Sequence, residues 1–204
     1  MLTHDDSDHT GGARALERGL PVRTVYAAAP RSGVPGPAAH EPIVPLVRGM
    51  HLTFAPTAHV LWPPAIDAPD VALSSRGDNA ASLVLEVGAG ATRTWLMADA
   101  DSVVERALTP SGEVALLKAG HHGSGSSSGA AFVQAVRPRV VALSCGAHNA
   151  YGHPDARACE RLACSGARLD RTDRDGTLWY ELDARGVRRL DWRSGEPWRR
   201  RRGP

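Results

Sequence analysis

Apolar positions in the second half of the chain follow two recurring patterns. Residues 114–118 and 140–144 are nearly unbroken apolar runs, the mark of strands buried on both faces, and segments of helical spacing follow at 130–136 and 155–163. Pro154 sits where it can open the second of these helices, and Pro138 stops the first. Upstream, 13–19 is a short helical pattern ended by Gly19, and 22–28 alternates like a strand. Residues 29–45 carry Pro30, Pro35, Pro37, Pro42 and Pro45 and are expected to form a loop. Two short apolar pieces follow at 50–54 and 59–62, the second stopped by Pro63 and Pro64, with a polar, turn-rich stretch over 65–80. Residues 82–87 and 92–97 read as two strands joined by a glycine hairpin at 88–90, a helix is expected at 102–108, and three strands at 167–170, 177–182 and 187–192 close the chain. Buried strands alternating with short helices make an α/β layer arrangement.

Composition narrows this picture without redirecting it. At 204 residues, 42% hydrophobic and 23% charged, the chain is long enough for one domain with a real core. The balance of 24 basic against 22 acidic side chains is too even to argue nucleic-acid binding from bulk charge. Arginines do crowd the end, at Arg188, Arg189, Arg193 and 199–202, which reads as a solvated tail or a phosphate-contacting arm. Cys145, Cys159 and Cys164 lack the spacing of a disulfide framework or a thiolate zinc site and are read as small buried residues. No window is apolar enough to span a membrane, and no basic segment followed by an apolar run marks a signal peptide.

The densest group of metal-ligand side chains opens the chain: His4, Asp6, Asp8 and His9 fall within six residues, backed by Gly11 and Gly12. Donors this close converge only if the backbone turns tightly, which Asp, Ser and Gly favour and a regular helix or strand does not. The bland alternative is a solvated polar terminus. Weight comes from downstream, because Asp99, His121, His122 and His153 each follow a predicted strand, where open α/β sheets gather their sites. Asp99 is either a ligand or the N-cap of the helix after it. His121 and His122 lie between Gly120 and Gly123, so the backbone there can approach a bound group, and the serines at 124 and 126–128 can donate to oxyanions. His153 is constrained between Gly152 and Pro154, whereas His40, His51, His59 and His148 have no acidic company and are read as bystanders.

Four segments then combine. Thr3-His4-Asp5-Asp6-Ser7-Asp8-His9-Thr10-Gly11-Gly12 resembles the His-x-[His/Asp]-x-Asp-His signature of the metallo-β-lactamase fold. With Leu117-Lys118-Ala119-Gly120-His121-His122-Gly123-Ser124, Tyr151-Gly152-His153-Pro154 and Arg171-Thr172-Asp173-Arg174-Asp175-Gly176, in that order over residues 2–182, it is similar to the C-terminal metallo-hydrolase domain of ComEC-type DNA-uptake (competence) proteins. The resemblance implies an αββα sandwich whose loops at one edge hold two divalent ions, zinc or manganese. By position, His4 and Asp6 would hold the first ion, Asp8 and His9 the second, with Asp99 between them and His153 completing the set. Of His121 and His122, one would be a ligand and the other would contact the scissile phosphate or pass a proton. His121 is grouped with the ligands and His122 with Asp8 as catalytic, an assignment the sequence leaves interchangeable. Ser124 and Tyr151 would contact substrate.

The family reaction implied is hydrolysis of DNA, removing one strand while the other enters the cell. Single-stranded DNA and a membrane channel domain are therefore the expected partners, with attachment to the plasma membrane through that channel, while this chain alone is expected to be soluble. Arg137, Arg139 and Arg174 would join the basic tail as backbone contacts. Residues 1–193 are expected to form the hydrolase domain and 194–204 a disordered tail. The family fold places strands ahead of its first ligand motif, so the first strands are expected to be lacking here. No ligand histidine is evident between that motif and Asp99, where Trp62 stands, so the first ion is expected to be weakly held. Two other readings remain open: a stand-alone hydrolase of a small phosphodiester, lactone or thioester, and an inactive truncated domain that binds a partner.

Overall fold

The computed structural model of the chain describes residues 1–29, 43–53, 57–65, 78–88, 90–110 and 112–198. Its centre is a seven-stranded sheet in the order β3 (His51–Leu52), β4 (Ala58–Trp62), β5 (Val84–Val87), β6 (Thr94–Leu96), β7 (Val114–Lys118), β8 (Pro138–Leu143) and β9 (Arg168–Arg171). From β3 to β6 neighbours are antiparallel, and from β6 to β9 they are parallel. Parallel neighbours need long crossovers. Helices α3 (Ser102–Ala107), α4 (Ala130–Val136) and α5 (Ala156–Cys164) supply them.

The period-two alternation of β8 shows how the layers arise. Val141 and Leu143 join Leu117 under Val104, Phe132, Val133 and Leu162 of the three helices. Val140 and Ala142 face the other way with Leu116, against Leu178, Tyr180 and Val187 around the hairpin β10 (Trp179–Asp183) and β11 (Gly186–Leu190). The unbroken apolar runs are explained by this burial on both faces.

A second small sheet covers the other end. β1 (Val25–Ala28) and β2 (Ile43–Leu46) run parallel. Leu46 packs with Leu52, Ala58, Val60 and Leu85 of the central sheet, while Val25 and Ala27 turn toward Leu2 and Ala13, the latter in helix α2 (Ala13–Gly19). Leu2 lies in register with β1, its N–H donating to Tyr26 O at 2.8 Å, and Leu83 N–H donates to Thr3 O at 2.9 Å. The extended Leu2–Thr3 segment is thus wedged between the two sheets and delivers His4 to their edge.

Several expectations are corrected. The opening motif is no irregular loop: Ser7–Thr10 forms one helical turn, α1. Residues 43–45, expected in a loop, belong to β2, and Pro45 sits in that strand, which among the described residues pairs with β1 alone. Cys145 and Cys159 are half-buried, the latter packed against the edge of the main core, and Cys164 is exposed, so none is a fully buried residue. Arg188 and Arg189 are not tail residues but part of β11: Arg188 pairs with Glu181 and Asp183, and Arg189, 5% exposed, reaches Asp170 and Asp175 under the ring of Trp198. Residues as far as Trp198 fold back on that strand, with Trp198 N–H donating to Arg189 O. The arginines at 199–202, His40 and Phe54 lie outside the described residues. Among the described residues no helix is long and apolar enough to cross a membrane.

Candidate metal centre

The helical turn α1 raises Asp8 and His9 from the sheet edge. His9 and Thr10 donate their N–H groups to Asp6 O at 3.0 Å, and a Cβ on Gly11 would meet Ser7 O at 2.6 Å, which explains a glycine closing the turn. Asp99 arrives from the loop after β6. Asp101, not Asp99, caps α3, accepting from Val103 and Val104 N–H, so the cap reading of Asp99 falls and its carboxylate is free for another task.

The third component follows β7. Ala98, His121 and His122 all adopt positive φ, at 47°, 43° and 52°. Left-handed backbone at non-glycine residues costs on the order of 1 kcal/mol or more each and gathers at functional sites. One carbonyl ties the two strained loops together: Ala98 O accepts from His121 N–H and from Lys118 Nζ, each at 3.0 Å. The flanking glycines fit tightly, since a Cβ on Gly120 would lie 2.4 Å from Ala100 O and one on Gly123 2.7 Å from both Leu143 and Pro154.

These parts bring Asp8, His9, Asp99 and His122 together, with one donor atom of each within 4.8 Å of all the others. His9 Nε2 is 3.2 Å from Asp99 Oδ1 and 3.5 Å from Asp8 Oδ2, and His122 Nε2 is 3.4 Å from Asp99 Oδ2 and 3.3 Å from Asp8 Oδ2. The two Nε2 atoms face each other at 3.4 Å. His122 Nδ1–H donates to Ser144 O at 2.7 Å, leaving the Nε2 lone pair of the neutral ring pointing into the cluster. Asp99, 3% exposed, keeps Oδ1 buried without an aligned hydrogen bond among the described residues. Two carboxylates and two imidazole nitrogens around a buried unmatched oxygen fit a divalent cation, and with no thiolate the set suits zinc or manganese.

The electrostatics agree. Burial alone would raise the Asp99 carboxyl, but the hydrogen bond and charge of His122, with Lys118 and His9 behind, outweigh it and bring the group to about 2. His122 is raised in return, chiefly by its bond to Asp99. Burial, then the charge of His9, holds His4 below its ordinary value, and burial lowers the Lys118 amine.

The remaining sequence-predicted residues form an outer ring. His4 Nε2 is buried and lies 3.4 Å from Asp6 Oδ2, with its ring 4.1 Å from that of His9. His121 Nε2 stands 3.9 Å from Asp99 Oδ2, and Asn79 Nδ2 donates to its Nδ1 at 3.3 Å. It is therefore His122 whose nitrogen enters the four-residue group, with His121 one step outside. His153 packs its ring 5.5 Å from that of His121, and Tyr151 stacks 6.1 Å from His153. Ser124, buried, is occupied within its own loop by Ser126. His51 and His59 pair with each other across β3 and β4, apart from the cluster. Trp62 is a core residue whose indole N–H donates to Ala80 O. Arg139 is paired with Glu113 on the surface.

Sequence reasoning overlooked Thr3, whose hydroxyl lies 3.1 Å from His4 Nδ1 and 3.0 Å from His9 Nδ1 and so orients both rings. It also overlooked Lys118, Asn79, and Ser82, which accepts from Asp99 N–H. Lys118 sits inside the quoted Leu117–Ser124 motif, and its place at the end of an apolar strand was the signal available.

No family model matches the chain. Among curated proteins it is 32% identical over 197 residues to ComE operon protein 3 of Bacillus subtilis, an alignment covering 91% of this chain and 24% of that protein. It is 32% identical over 196 residues to Competence protein ComA of Neisseria gonorrhoeae, covering 92% and 26%, and 28% identical over 171 residues to Recombination protein 2 of Haemophilus influenzae, covering 79% and 19%. These likenesses support a competence-protein family. The chain spans about a quarter of the length of the first two relatives.

Proposed function

We propose that this chain is a metal-dependent hydrolase domain of a DNA-uptake system, built as a metallo-β-lactamase-like sandwich and cutting phosphodiester bonds in a DNA strand. The observation that carries the reading is the convergence of Asp8, His9, Asp99 and His122 from three separate segments onto one buried carboxylate. Support comes from the likeness to Competence protein ComA, and from the layering of α2, the β1–β2 sheet, the central sheet and α3–α5.

Asp8, His9, Asp99 and His122 would hold one ion, and His4 with Asp6 would be available to a second, with zinc or manganese suited to both. Such an ion supplies Lewis acidity toward a phosphate and acidity to a bound water. Among the chain's own groups, Asp8, with its side chain 61% exposed, is placed to orient an attacking water. His122, fixed through Nδ1 to Ser144 O, presents its Nε2 to the cluster as a ligand. His121 accepts at Nδ1 from Asn79, so its neutral ring carries the proton on Nε2, on the Asp99 side, where it can donate a hydrogen bond to the charge developing on a leaving alkoxide. These roles exchange the ones suggested for the two histidines by the sequence.

The test is degradation of single-stranded DNA by the purified chain with Mn2+, beside Asp8→Ala and His9→Ala. Turnover should fall at least a hundredfold in either variant. If DNA survives while a small phosphodiester, lactone or thioester is hydrolysed, the DNA reading fails. Absence of metal-dependent turnover on all of them sinks the hydrolase reading and leaves a binding domain.

A further inference from the structure

Resting on that reading of the site, we propose that Tyr151 is a stacking platform for an unpaired DNA base, so that the site takes its substrate as a single strand. Tyr151 is 84% exposed, more than any other large hydrophobic side chain among the described residues, so its ring contributes little to the core. Yet its backbone is firmly held. Asn149 Oδ1 accepts from Tyr151 N–H at 3.2 Å and from His153 N–H at 3.0 Å, and Asn149 Nδ2 donates to Gly146 O and to His153 O. One side chain thus fixes the loop that carries an otherwise unused aromatic ring. Holding the backbone beneath a bare ring in place lowers the entropy that must be lost when a ligand stacks against it.

The ring also points back to the chemistry. It lies nearly parallel to His153, at 18°, and His153 meets His121 edge to face, with His121 Nε2 3.9 Å from Asp99. A line of rings therefore leads from the cluster to solvent and ends at Tyr151. With one face turned to His153, the other is open to a flat partner. A nucleotide neighbouring the scissile one can lay its base there while its phosphate remains at Asp8 and Asp99. Base-on-aromatic stacking tolerates any sequence, as strand degradation requires, and a base still paired in a duplex cannot offer its face.

Binding is measured by fluorescence anisotropy on the full chain without added metal, so that the result does not depend on catalysis. Labelled probes are a single-stranded oligodeoxynucleotide, the same strand made of abasic units, and a blunt duplex. Tyr151→Ala should raise Kd for the base-bearing strand about tenfold, within the usual range for one stacked base, and Tyr151→Phe should restore it. Binding of the abasic strand and of the duplex should not change. Unaltered affinity for the base-bearing strand in Tyr151→Ala overturns the proposal, as does an equal loss for the abasic strand. Loss of hydrolysis in Asp8→Ala and His9→Ala tests the underlying function separately, and either result can stand without the other.

Discussion

Asp99 and His122 set each other's protonation, and that mutual effect can be measured one residue at a time. In metal-free protein the His122 imidazole should titrate above 6.5, because Asp99 accepts its hydrogen bond. An Asp99→Asn substitution keeps the shape and removes the charge, so the His122 titration followed by NMR should fall to 6.5 or below. An unchanged titration would mean that the two side chains do not meet. The ligand types were legible at this scale, since His and Asp at the opening motif and after three strands announce a metal site. The division of labour between His121 and His122 was not. Adjacent and alike, they differ only in which partner each Nδ1 finds, Asn79 or Ser144 O, and both partners come from distant segments.

Helices and strands show the same division between local and remote causes. Apolar runs at β7 and β8 were readable because burial on both faces leaves no polar position in the strand. β2 was hidden by Pro45, because proline argues against a strand unless it lies at an edge, and among the described residues β2 pairs with β1 alone. α1 was hidden because a single turn has no periodicity to detect. The α3 cap was read at Asp99, as the alternative to a ligand, whereas Asp101 two residues on is the one that accepts from Val103 and Val104 N–H. Asp101→Ala should therefore cost about 1 kcal/mol in urea unfolding, the usual worth of such a cap, and a loss near zero would return the cap to Asp99. Gly120→Ala should cost about 1–3 kcal/mol or more, because the new Cβ has only a rigid carbonyl, Ala100 O, to meet. Gly19→Ala, with open space around it and no positive φ, should change stability by less than about 1 kcal/mol.

For the molecule as a whole, the cluster sits where three layers end, and its charge balance reaches global stability. In metal-free protein the Asp99 contribution is present above its unfolded pKa near 3.8 and is lost as pH falls toward about 2. The His122 contribution is fully present below 6.5 and is lost as pH rises through its raised folded value. Chelated protein should therefore draw most stability from this pair between about pH 4 and 6.5, whereas with metal the stabilisation should grow as pH rises and His122 sheds its proton. Thermal unfolding across pH with and without Mn2+ checks both slopes, and parallel curves would separate the cluster from metal. The central claim is that the four side chains form a metal centre, and titration calorimetry of Mn2+ into chelator-treated wild-type chain beside Asp99→Asn tests it most directly. The account predicts saturable binding of at least one equivalent in the wild type, weakened about a hundredfold or more in the variant. Equal affinity in the two proteins, or no saturable binding in the wild type, would contradict it.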